Sequence, residues 1–160
     1  MYSVSGCVSE FFVNDCNNAW KHNGYWLFDS PHVIREVARE LSASPEGTKL
    51  FYYEAYEEEF NEKEMTWSAF ASEPSIATDV IPPSEKHLEG YDLVSFVVPR
   101  SPECSPLSCN GLAEEILTNS HCLIETFEGA KAALESGKFS NAEPGPYRIF
   151  AVYSVDWSES

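Results

Sequence analysis

The chain has 160 residues, a hydrophobic fraction of 43% and an aromatic fraction of 14%, a composition that excludes an intrinsically disordered chain and matches a single domain over residues 1–160. Its 26 acidic residues against 10 basic ones give a formal net charge of −16, which repels phosphate backbones and anionic lipid and so argues against nucleic-acid and membrane binding. No stretch approaches the roughly 18 apolar residues of a membrane span, the start of the chain lacks a basic n-region with an apolar run, and the five cysteines, an odd number, point to reduced thiols and a cytoplasmic location.

In chain order, the sequence predicts a strand over 9–13, a polar turn, and an Asn23-Gly24 turn leading into a strand over 25–28. Asp29 or Ser30 then caps a helix whose first turn holds Pro31 and whose apolar face is Val33, Ile34, Val37, Ala38 and Leu41, ending near Ser44-Pro45. Residues 49–56 read as a central strand, with Leu50, Tyr52 and Tyr56 on one face and Phe51 and Tyr53 on the other. The acidic run that follows, Glu57-Glu58-Glu59 with Glu62 and Glu64, fits a strand end, a solvated hairpin or a short helix. Residues 65–90, broken by Pro74, Pro82 and Pro83, suggest short strands and an irregular connection.

A strand is expected over 91–98, then a short helix turning Leu112, Ala113, Ile116 and Leu117 inward, then a short strand over 121–124. Thr126 caps a helix bearing Phe127, Ala130 and Leu134, Gly137 suits the position past its end, and residues 147–155 form the last strand. This order implies an α+β fold, with a mixed or mainly antiparallel sheet and about three helices packed largely on one face.

Chemistry-bearing patterns are sparse. His87-Leu88-Glu89 followed by Pro102, Cys104 and Cys109 has the residue types of a zinc deaminase site, but Glu103 interrupts the Pro-Cys pair and four residues separate the cysteines. His-Leu-Glu also leads into a strand rather than opening a helix, so the pattern is set aside. A zinc site from Cys104 and Cys109 with His121 or Cys122 has suitable ligand types, yet buried cysteines more often behave as small hydrophobes, so no metal or other cofactor is assigned.

Cys109 stands just before the expected helix at Asn110-Gly111, where free amides and the helix dipole favour a thiolate. With His121 or His87 as base, it defines a cysteine-dependent enzyme as the alternative reading. The Gly-x-Gly-x-x-Gly, phosphate-loop, His-Glu-x-x-His and Gly-x-Ser-x-Gly patterns are absent from the sequence.

The leading expectation rests on acids interleaved with aromatics: Tyr53, Tyr56, Glu57, Glu58 and Glu59, with Trp67 and Phe70 downstream. Aromatic rings supply stiff contact area and carboxylates steer a cationic protein, so the chain reads as a small acidic binding module, of inhibitor or immunity type, for a basic protein partner. The competing view of this stretch is a core strand with a solvated end. A structural protein that self-associates through exposed aromatics is a further alternative.

Overall fold

The computed structural model describes residues 2–4, 27–40, 42, 44–45, 47–70, 80–96, 115–142 and 144–159. Its elements are β1 (Tyr2–Val4), α1 (Pro31–Glu40), β2 (Leu50–Asn61), β3 (Thr66–Ala69), β4 (His87–Ser95), α2 (Phe127–Glu135) and β5 (Tyr147–Val155), with 3-10 turns at Lys138–Asn141 and Trp157–Glu159. Hydrogen-bonded neighbours run β1-β2-β5-β4, and β3 pairs β2 outside that path. The β1–β2 and β2–β3 ladders are antiparallel, as are the isolated bridges Tyr2–Phe28 and Tyr91–Ile124. The fold is therefore α+β. None of the helices among the described residues is long and apolar enough to cross a membrane.

Backbone contacts group the chain into two compact units. Unit 1 comprises Met1–Tyr53, Pro74–His87 and Tyr153–Ser160. Its helix α1 starts where Ser30 Oγ accepts the Val33 amide at 3.4 Å, the bond expected of an N-cap, and Pro31 costs nothing there because the first amides have no helical acceptor. The helical spacing of Ile34, Val37 and Ala38 gathers them on one buried stripe, which packs with Tyr2, Phe28, Leu50 and Tyr52 in the core of this unit. Ile34, Val37 and Leu50 each contribute about 1.5–3 kcal/mol through their removal from water. Tyr2 exchanges both backbone bonds with Phe28, at 2.8 and 2.9 Å, and donates its hydroxyl to the Ile81 carbonyl at 2.9 Å. The Trp157 indole N–H donates to the Thr48 carbonyl at 3.0 Å, while Arg35 donates to the Trp157 carbonyl at 2.7 Å with its guanidinium 5.3 Å from the Trp157 ring centre.

Unit 2 comprises Glu54–Glu73 and Leu88–Val152. Alternation along β5 turns Tyr147 and Ile149 into a core with Phe60, Leu93, Ile124, Ala130, Leu134 and Phe139. Arg148 and Phe150 point to the opposite face, where Phe150 stacks with Phe96 at 6.3 Å and Phe96 meets Phe70 at 5.5 Å. Helix α2 is capped by Thr126, whose Oγ1 accepts the Gly129 amide at 3.0 Å, and it is closed by Gly137 in the left-handed region at φ 75°. Gly90 is required for a different reason: at φ 148° in β4 it lies so near the Ile124 bridge that a Cβ would stand 2.8 Å from the Ile124 carbonyl oxygen.

Several expectations need correction. The described residues hold two α-helices rather than about three, because the segment expected to turn Ile116 and Leu117 inward is not helical where it is described. Ile116 packs partly against the core of unit 2, but Leu117 is 88% exposed, so helical spacing of apolar residues misled there. The short strand expected over 121–124 is a bend that makes a single bridge at Ile124. Asn119 organises it by accepting the His121 and Leu123 amides, and Cys122 takes φ 58° within it. The strand expected over 91–98 begins four positions earlier, at His87. The strand over 9–13, the Asn23-Gly24 turn, Leu41, Leu112 and Ala113 lie outside the described residues.

Candidate functional site

The acidic run continues β2 as far as Asn61 and then turns through Glu62 and Glu64 into β3, so of the three forms open to it the strand end and the hairpin are both adopted and the helix is not. Its register against β3 pairs Glu58 with Ala69, Glu59 with Ser68, Phe60 with Trp67 and Asn61 with Thr66. The hairpin closes because Asn61 Oδ1 accepts the Lys63 and Glu64 amides at 3.0 and 3.2 Å, a side-chain substitute for a backbone turn. Met65 completes it in the left-handed region at φ 54°, with its side chain 48% exposed.

Strand alternation then divides the expected binding set. Tyr56 and Glu58 share a face with Phe60, which is fully buried in the core of unit 2, whereas Glu57 and Glu59 point the other way. Glu57 is exposed, and Glu59 keeps only 9% of its surface. Tyr53 is half-buried and belongs to unit 1. The contiguous stretch is thus not one surface.

The structure assembles a patch around Tyr56 from residues distant in sequence. The Phe127 ring, at the start of α2, meets Tyr56 edge-on at 4.7 Å and Tyr91 of β4 at 5.8 Å. Trp67 of β3 stands edge-on to Tyr56 at 6.4 Å and tilts against Phe60 at 5.1 Å. Edge-to-face pairs of this kind set a positive ring edge against a negative ring face and contribute about 0.5–1.5 kcal/mol each.

Carboxylates hold the polar atoms of both outer rings. The Tyr56 hydroxyl donates to Glu58 Oε2 at 2.9 Å, and the Trp67 indole N–H donates to Glu135 Oε1 at 2.8 Å. The bond to Glu58, with its negative charge and that of Glu57 nearby, raises the Tyr56 pKa above the usual 10.0 by stabilising the neutral phenol. Lys131 sets its ammonium 4.9 Å from the Trp67 ring centre. Tyr56, Trp67, Phe127 and Tyr91 are all half-buried, so the rings keep surface in water while their bodies pack on the core.

Of these, Phe127, Tyr91, Lys131 and Glu135 were not singled out as site residues from the sequence. One signal for the helical part existed: Phe127, Lys131 and Glu135 recur every four residues and so form one stripe of α2. Nothing local ties that stripe to Trp67, sixty or more positions away.

The residues of the cysteine-dependent alternative are placed as follows. Cys109 lies outside the described residues, as do Cys104, Cys7 and Cys16. His121 sets Nε2 3.5 Å from Glu89 Oε2 in unit 2, beside the exposed free thiol Cys122. His87 opens β4 and lines a shallow groove of about 470 Å³ in unit 1 with Glu85, Lys86, Ser154, Val155 and Asp156. Asp156 is held below its ordinary 3.8 because its carboxylate accepts both the amide and the hydroxyl of Ser158. Among the described residues no group of three or more His, Cys, Asp or Glu side chains is placed to hold a metal ion.

No protein-family model, no curated protein and no solved structure matches the chain.

Proposed function

We propose that this protein is an acidic protein-binding module that docks a basic partner through the aromatic–carboxylate patch of unit 2, acting as an inhibitor or immunity-type protein that covers a positive cleft. The observation carrying this reading is the pairing of half-buried rings with carboxylates that hold them: Tyr56 with Glu58, and Trp67 with Glu135. Rings fixed in this way lose little conformational entropy on docking and present negative faces to cations, while the net charge of −16 steers a basic protein from a distance. Glu57, Glu64, Glu125 and Glu128 are exposed on the same unit and add to that field.

The test is titration with an octalysine peptide at increasing salt, followed by the charge reversals Glu58→Lys and Glu135→Lys. Affinity is expected to fall as salt rises, because counterions screen the attraction, and each reversal is expected to slow association more than it speeds dissociation. An affinity indifferent to salt and to both reversals overturns the reading.

A further inference from the structure

We infer that Lys131 occupies the cation seat of this patch in the free protein, and that a lysine or arginine side chain of the basic partner takes the seat by displacing it. The inference rests on the reading given under Proposed function and names the chemical group recognised there.

The argument starts from Trp67, the ring type with the strongest attraction for a cation. Its indole N–H is fixed by Glu135 at 2.8 Å, and Phe60 and Tyr56 stand at 5.1 and 6.4 Å from it, so the ring is immobilised before any partner arrives. Lys131 places Nζ 4.9 Å from the ring centre, within the range of about 6 Å in which an ammonium is attracted to a ring face. The seat therefore accepts an ammonium group, and Lys131 supplies one from within the chain.

Lys131 is four residues from Glu135 on α2, so the carboxylate that fixes the indole lies on the same helical stripe as the internal cation. An incoming cation on Trp67 meets Glu135 and a phenol–carboxylate pair, Tyr56 with Glu58, on the same patch. It replaces one half-buried lysine cation by another cation at the same ring, so the exchange leaves no unpaired buried charge behind. The internal lysine acts as a threshold: scattered cations do not dislodge it, whereas a partner whose other basic groups are already held by the acidic field does.

The experiment compares octalysine binding to the wild type, Lys131→Met and Lys138→Met at low salt. Lys138 is exposed on the same unit and contacts the Glu115 carbonyl, so its substitution removes an equal charge away from Trp67. Lys131→Met is expected to bind octalysine about two- to fivefold more tightly than Lys138→Met. The indole fluorescence change on binding is expected to disappear in Trp67→Phe. Equal affinities for the two lysine variants, or a fluorescence change that survives in Trp67→Phe, overturn the inference while leaving the basic-partner reading standing. Failure of octalysine to bind the wild type at low salt overturns both.

Discussion

Arg148 in unit 2 and Lys86 in unit 1 both rest on aromatic rings, and they differ in how much water they keep. The Arg148 guanidinium lies 3.7 Å from the Phe70 ring centre and 5.8 and 5.9 Å from those of Phe96 and Phe150, and the residue is only 4% exposed. Its Nε donates to the Tyr56 carbonyl at 3.0 Å and its Nη2 donates to the same oxygen. Lys86 lies 4.2 Å from the Tyr153 ring centre and 5.1 Å from that of Tyr52, yet it is exposed on the rim of the shallow groove.

The same pair of chemical groups thus serves two ends. In unit 2 a desolvated guanidinium pins the strand that carries Tyr56, with hydrogen bonds that offset part of its burial. In unit 1 a hydrated ammonium covers two tyrosines at little desolvation cost and with little net gain. Arginine suits the first role because its planar, weakly hydrated head stacks on rings while still donating in its plane.

That contrast yields a graded set of expectations. The scale is set by truncating the cores: Ile34→Ala in unit 1 and Leu93→Ala in unit 2 are each expected to cost about 2–5 kcal/mol by urea denaturation, because both side chains are fully buried. Arg148→Met is expected to cost about 3 kcal/mol, since it removes two charge-assisted donors to the Tyr56 carbonyl along with the stacking of the guanidinium on Phe70, Phe96 and Phe150. A loss under about 1 kcal/mol would break the comparison, because the buried guanidinium would then be worth no more than an exposed one. Lys86→Met is expected to cost about 0.5 kcal/mol or less, in keeping with a hydrated cation on a ring.

The smallest effects are expected from pH. Tyr56 has its folded pKa raised above 10.0, so its contribution is complete below the ordinary tyrosine value and is lost as pH rises through the folded one. Denaturation from neutral to strongly alkaline pH should show a smaller loss in Tyr56→Phe than in the wild type, the remainder including Tyr2, whose pKa burial also raises. Asp156 has its folded pKa lowered, so its contribution is present above the ordinary 3.8 and is lost as pH falls toward the folded value. Asp156→Asn should remove that acid-side loss, and an unchanged acid limb would discount the Ser158 contacts.

Much of the architecture was legible locally. Ser30 and Thr126 have side-chain oxygens that satisfy first-turn amides, Gly137 tolerates the left-handed region, and the spacing of Ile34, Val37 and Ala38 fits only a helix with one buried stripe. The candidate site was legible in part. The aromatic and acidic residues of β2 are legible as a group, but which face Glu57, Glu58 and Glu59 each take follows only from the strand continuing through them. Leu117 shows the opposite failure, since apolar spacing suggested burial where the chain leaves the side chain in water.

The sequence by itself determined the net charge of −16, the strand alternation and the helix caps, because each depends on composition or on backbone geometry between residues a few positions apart. Only the tertiary structure decided that the acidic run continues as a strand, since pairing with β3 extends it, and that Glu59 is buried while Glu57 is exposed. It alone set Trp67 against Glu135 and Lys131, and Arg148 beneath Tyr56. The physical reason is that local hydrogen bonding repeats with the backbone. The water a charged or aromatic side chain keeps depends instead on which distant segments pack over it, and no short-range pattern encodes that.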